Sequence, residues 1–183
     1  MHNIPNNTIL KYLKTKPIKL SFVKGRTTFG QCFNIANTSY PNQNIIIANA
    51  DIYFNETLNY LDEYDLSDKF LCLTRWDVEP NGNLKYFANS IGSYDVWIFK
   101  TPIRKFLYDQ IKLGTLNCDG AIAHQARVVG LKTSNPCKTV QCCHLHLSPI
   151  RNYSASRLNA IYGNDILPKI TLAPQQQPNK EKI

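Results

Sequence analysis

Asn44-Ile45-Ile46-Ile47-Ala48-Asn49-Ala50-Asp51 is the stretch on which the fold turns. Three consecutive isoleucines favour an extended strand over a helix. Apolar residues at successive positions place apolar groups on both faces. That pattern fits a central strand of a largely parallel sheet covered on both sides. The run then stops abruptly in polar residues. Ligands of open α/β sheets gather beyond the carboxyl ends of strands, and Asp51 stands at such an end. The plainer alternative is a solvated acid closing a core strand.

Upstream, residues 18–23 alternate Ile18, Leu20 and Phe22 with Lys19 and Ser21, which predicts another strand. A turn at 24–28 follows, with Thr27 or Thr28 capping a helix over 29–36. Phe29, Cys32, Phe33 and Ala36 share one face of it. Residues 8–14 predict a short helix behind Asn7, stopped by Pro17. Downstream, residues 56–64 predict a helix and 70–74 a second buried strand leading into Arg75-Trp76-Asp77. Pro80-Asn81-Gly82-Asn83 predicts a turn. Residues 96–99 predict a third strand, entered through Asp95, and 103–110 a helical turn or two. A helix over 119–129 ends at Gly130, a natural C′ residue. A strand is expected within 140–147 and a short apolar segment at 158–162. The pattern predicts an α/β domain over residues 1–167 and a polar tail or linker over 168–183.

Composition bounds the function. The chain has 183 residues, 43% hydrophobic, 11% aromatic and 19% charged, which excludes global disorder. No apolar run approaches the roughly 20 residues of a membrane span. Met1-His2-Asn3-Ile4-Pro5 lacks the basic start and apolar run of a signal peptide, so a cytosolic protein is expected. The net charge of +8 points to an anionic partner or simply to a basic surface. The densest basic zone, Lys11 to Arg26, carries no RRM, KH or zinc-finger signature. The six cysteines are expected as reduced thiols.

Four acids stand at strand ends or loop–helix junctions: Asp51, Asp77, Asp95 and Asp119. Their distribution predicts one cleft at one rim of a sheet. Arg26 follows the first expected strand and precedes a helix, a place suited to a nucleobase or phosphate. Arg75 either pairs with Asp77 or touches phosphate. Acids and bases in one cleft suit a divalent cation carrying a phosphorylated ligand. His144 and His146 lie two apart, so both point to one face of a strand. They either serve such a ligand or fill a half-buried face. Trp76 and Trp97 are either a sugar platform or core.

Ala48-Asn49-Ala50-Asp51-Ile52 resembles the DXD-type metal signature of GT-A-fold nucleotide-sugar glycosyltransferases, with Asn at the first acidic position. The run from Cys118-Asp119-Gly120 to Gly130-Leu131-Lys132 resembles their second signature, an acid opening a helix that ends at Gly before a strand. Asn135-Pro136 and His144-Leu145-His146 resemble the Pro and late His that follow. Thr74-Arg75-Trp76-Asp77 and Tyr94-Asp95-Val96-Trp97-Ile98-Phe99 resemble small chlorovirus and bacterial proteins of this kind. The matching blocks cover residues 18–153. The resemblance implies a reduced GT-A-like (Rossmann-like) fold: a mixed, mostly parallel sheet flanked by helices. It implies transfer of a sugar from a nucleotide-diphosphate donor, uridine-linked, to a glycan acceptor hydroxyl. It implies Mn²⁺ or Mg²⁺ held by Asp51 with His146 or His144, and donor contacts from Arg26, Asn49, Ala50, Arg75 and Asp77. It also implies inversion, with Asp119 as general base and Asp95 in reserve. No nucleic-acid partner belongs to this reading.

Three rival readings rest on other features. Cys137, Cys142, Cys143, His144 and His146 supply zinc-type donors at a spacing, C-x4-C-C-H-x-H, that matches no recognised finger. The +8 charge is the basis for a nucleic-acid-binding module. Clustered acids are the basis for a metal-dependent phosphodiester hydrolase.

Overall fold

A computed structural model describes residues 15, 18–19, 21–87, 92–145, 166–167 and 169–172. The elements run α1 (Phe29–Ser39), β1 (Asn44–Ala48), β2 (Ile52–Phe54), a 3₁₀ helix (Glu56–Leu61), β3 (Lys69–Leu73), β4 (Trp76–Val78), β5 (Leu84–Tyr86), β6 (Val96–Lys100), α2 (Cys118–Val128), β7 (Lys132–Ser134) and β8 (Cys142–His144). They form two four-stranded sheets, ordered β1-β6-β3-β7 and β2-β8-β4-β5.

This corrects the expected helix-flanked, mostly parallel, GT-A-like (Rossmann-like) α/β sheet. The described residues form two small mixed sheets, rich in strands and poor in helices. In the first sheet β1–β6 and β6–β3 are antiparallel, and only β3–β7 is parallel. In the second, β4–β8 alone is parallel. The isoleucine run is not a central strand either. β1 pairs only with β6 among the described residues, and Ile46 at its middle is 38% exposed. An unbroken apolar run specifies a strand but not its place in the sheet.

The central strands are β3 and β6, and each divides its side chains between two cores. Phe70, Cys72, Trp97 and Phe99 face α1 and α2, against Phe29, Phe33, Ala121 and Ile122. The Phe29 ring meets Trp97 edge-on at 4.7 Å. Leu71, Leu73, Val96 and Ile98 face the other way, against Leu61, Leu66, Val140 and Cys142. The helices therefore cover one face of the first sheet. The 3₁₀ segment and the second sheet cover the other.

The helix over residues 29–36 forms, extends to Ser39, and is capped at Thr28. The Thr28 hydroxyl accepts from the Gln31 amide at 3.2 Å, and the Gln31 side chain accepts from the Thr28 amide at 3.0 Å. The next two amides, of Phe29 and Gly30, donate to the carbonyls of Ile111 (2.9 Å) and Asp109 (2.7 Å). Residues 103–110 are consequently not helical: their backbone holds down α1 instead. Gly130 ends α2 at φ +81°, in the left-handed region that favours glycine.

Residues 18–19 and 21–23 form no strand; Phe22 is 73% exposed. Alternation gives a face, but a strand also needs a partner edge. The helix expected over 56–64 is only the 3₁₀ turn, and the strand expected within 140–147 is Cys142–His144. Residues 8–14 and 158–162 lie outside the described residues. Lys169 bridges to Asn135, and the Leu172 amide donates to the Thr139 hydroxyl at 3.0 Å. No described helix is long and apolar enough to cross a membrane.

Candidate functional site

Two of the chain's three passages from the first sheet to the second run through residues 49–51 after β1 and through Thr74-Arg75 after β3. Both passages lie at the same end of the first sheet, where β6 begins. Main-chain bonds tie them together: the Asn49 amide donates to the Asp95 carbonyl and the Asp95 amide to the Leu73 carbonyl, each at 3.0 Å. β4 and β8 then run side by side, with Asp77 opposite His144. The seam between the sheets therefore gathers polar side chains from four stretches of chain.

Those side chains form one continuous string. The Asn49 amide group donates to Asp95 Oδ1 at 2.9 Å. Arg75 Nη1 donates to Asp95 Oδ2 at 3.3 Å, and Arg75 Nε to Asp77 Oδ1 at 2.8 Å. His144 Nδ1 lies 2.8 Å from Asp77 Oδ1, and its Nε2 lies 3.1 Å from Asp51 Oδ2. The string runs from inside to outside. The Arg75, Asp95 and His144 side chains are buried, whereas those of Asp77 and Asp51 are 38% and 40% exposed. Asp51 and Ala50 occupy a tight turn closed by the Ile52 amide donating to the Asn49 carbonyl at 3.2 Å.

Charge is partly offset within the string, where Arg75 stands between Asp95 and Asp77. Burial by itself would lower the Arg75 guanidinium, but Asp95 and Asp77 raise it above its ordinary value. Burial by itself would raise Asp77, but hydrogen bonds and charge from Arg75 and His144 hold it below the usual carboxylate range. The Arg75 guanidinium also lies 4.3 Å over the Phe87 ring, which fixes its plane.

Asp119 joins this group from the first turn of α2. It is not the helix cap: Asn117 holds that position, without a side-chain bond. Its Oδ1 accepts from the Cys118 thiol at 3.0 Å. Burial pushes its carboxyl up to about 7, and Asp95 adds to this; the Cys118 thiol, the Tyr94 backbone and Arg75 pull against it. A carboxyl placed near neutrality accepts and returns a proton under ordinary conditions.

Asn49, Ala50, Asp51, Arg75, Asp77, Asp95, Asp119 and His144 thus come together at one seam. Arg26 does not enter the string: its guanidinium binds the carbonyls of Leu113 and Gly114, at 3.1 and 2.6 Å, in the loop before α2. His146 lies outside the described residues. Trp97 is core, whereas Trp76 is half-buried with its indole N–H on the Cys137 carbonyl at 2.9 Å. The six cysteines, all described, are thiols.

The donor chemistry bears on a cation. Among the described residues no group of three or more His, Cys, Asp or Glu is placed to hold one. Two donors do face each other. If His144 Nδ1 carries its proton toward Asp77, then Nε2 turns a lone pair toward Asp51 Oδ2 at 3.1 Å. Two acceptors so close need a proton or a cation between them. Neighbouring ligands of an octahedral Mg²⁺-sized ion at ~2.1 Å stand roughly 3 Å apart, so the pair fits one edge of such a shell. Ions of this kind take one or two protein carboxylates and complete the shell with phosphate and water, which makes Asp51 the principal ligand of the pair and His144 an accessory one. Asp77 on the far nitrogen is the outer partner that metal-binding histidines usually have.

Sequence reasoning missed three supports. Asn135, buried, accepts from the Thr74 amide at 3.2 Å and donates to the Thr74 hydroxyl at 2.9 Å, locking the residue before Arg75. Phe87 lies under Arg75, and Cys118 touches Asp119. A buried Asn is visible only in three dimensions, and Phe87 lies in an apolar-rich run that also reads as plain core. Compared with protein-family models, with curated proteins and with solved structures, the chain matches none.

Proposed function

We propose that the chain is a glycosyltransferase that moves a sugar from a nucleotide-diphosphate donor, uridine-linked, to a hydroxyl of a glycan acceptor. The observation that carries this reading is one seam holding a carboxyl near neutrality, Asp119, together with an acid–histidine pair, half-exposed Asp51 and buried His144. Sugar transfer makes two demands on a site, and these groups answer both. The acceptor oxygen must lose its proton as it attacks. The diphosphate must leave with added negative charge.

Asp51 and His144 would hold a divalent cation, Mn²⁺ or Mg²⁺, which when bound offsets charge on the diphosphate. Asp77 fixes the His144 ring, and Arg75 fixes Asp77. Asp119 accepts the acceptor hydroxyl proton while that oxygen bonds the anomeric carbon and the carbon–phosphate oxygen bond breaks. A direct attack of this kind inverts the anomeric centre. Asp95 stays in reserve: Asn49 and Arg75 each donate to one of its oxygens. It positions them.

A panel of uridine-diphosphate sugars, with glycan acceptors and Mn²⁺, tests the reading by release of nucleoside diphosphate and by mass of the glycan product. Transfer should climb as pH rises through about 7, since the base works deprotonated. Asp119→Asn should retain donor binding and lose transfer. Undiminished transfer in that variant removes Asp119 from the mechanism.

A further inference from the structure

We propose that Cys118 is a positioning residue whose thiol holds Asp119 by Oδ1 and presents its other oxygen to the acceptor hydroxyl. This rests on the reading of Asp119 as the base. The geometry is direct: Cys118 Sγ lies 3.0 Å from Asp119 Oδ1, a short approach for sulfur. Cys118 is buried, at 1% exposure, so water does not compete for the bond. Burial, with the Asp119 charge beside it, pushes the thiol well above its ordinary range. The thiol therefore stays protonated wherever Asp119 titrates, and it is always the donor.

The arrangement has a reason in the local fold. Asn117, before Cys118, is in the left-handed region at φ +65° and gives α2 no side-chain cap. Asp119 is the second residue of α2, past the cap position, so its carboxylate is not the cap acceptor that an Asp in the place of Asn117 would be. It turns toward the seam, where three groups face it. Asp95, at the start of β6, repels its charge. Arg75, between β3 and β4, attracts it. The Tyr94 backbone binds it. Asp95 and Arg75 oppose each other, so the thiol on Oδ1 is a lever of its own.

The test reads the Asp119 carboxyl, not transfer. Infrared titration of native protein against Asp119→Asn isolates its carboxyl band. In Cys118→Ala the titration midpoint should move upward from its native value, since a donor to the charged form has been removed. Cys118→Ser, which restores a donor, should move it back. A midpoint in Cys118→Ala equal to the native one overturns the proposal. Should the alanine variant not fold, the native protein still answers. The Cys118 S–H stretch should shift as Asp119 titrates, and a band indifferent to pH overturns the proposal equally. Both spectroscopic results intact with transfer undiminished in Asp119→Asn would instead count against Asp119 as the base.

Discussion

The two sheets pack face to face and meet at a seam, but they are built differently. In the first, β3 and β6 run five residues each and are buried along nearly their whole length. In the second, β2, β4 and β5 run three residues each and are half-buried or exposed, and β8 carries a histidine into the seam. Apolar burial is the main driving force of folding, so the first sheet holds the molecule together. The second spends strand positions on Asp77 and His144, which a core would not choose. Stability and chemistry are thus divided between them, and the seam residues Arg75 and Asp95 belong to both.

The largest effect belongs to the first sheet. Phe70→Ala empties a site packed against Phe33, Phe99 and Phe106 and should cost about 4 kcal/mol in denaturant unfolding. A loss under about 1 kcal/mol would break the division at its strong end. Next is the seam. Asp95→Asn leaves buried Arg75 with one carboxylate and should cost about 3 kcal/mol.

Asp119→Asn sharpens the comparison, because it should stabilise. Its carboxyl sits near 7 when folded and near 4 when unfolded, so the folded state binds the extra proton between these values. The native protein therefore loses stability as pH rises from about 4 to 7, and the variant escapes that loss. The gain should reach about 2 kcal/mol above pH 7, roughly half the limit for full burial, because the residue is half-buried. Unfolding at pH 4 and pH 8 checks both sign and size. The smallest change in stability belongs to the second sheet's rim. Asp51→Ala, at a side chain 40% exposed, should stay within about 0.5 kcal/mol of native.

The same division explains what was legible in the sequence. Strands β3 and β6 and helices α1 and α2 stand out because continuous apolar runs or a Thr cap and terminal Gly mark them. Strands β2, β4 and β5 do not, since three residues with mixed burial carry no period. The pairing of β1 was misread because three isoleucines describe a strand's surfaces and not its neighbours. The acids fared better than the fold. An Asp after an apolar run is visible as such, and Asp51, Asp77 and Asp95 meet because three crossings share one end of a sheet. The contacts of Asn135 with Thr74 and of Cys118 with Asp119 are not written in any sequence period and emerge only in the folded chain.

The most direct test is calorimetric titration of UDP into the native protein and into Asp51→Ala, each with and without Mn²⁺. The account predicts binding to the native protein that depends on Mn²⁺ and disappears in a variant of unchanged stability. Binding indifferent to both Mn²⁺ and Asp51, or no binding of UDP at all, would contradict the account.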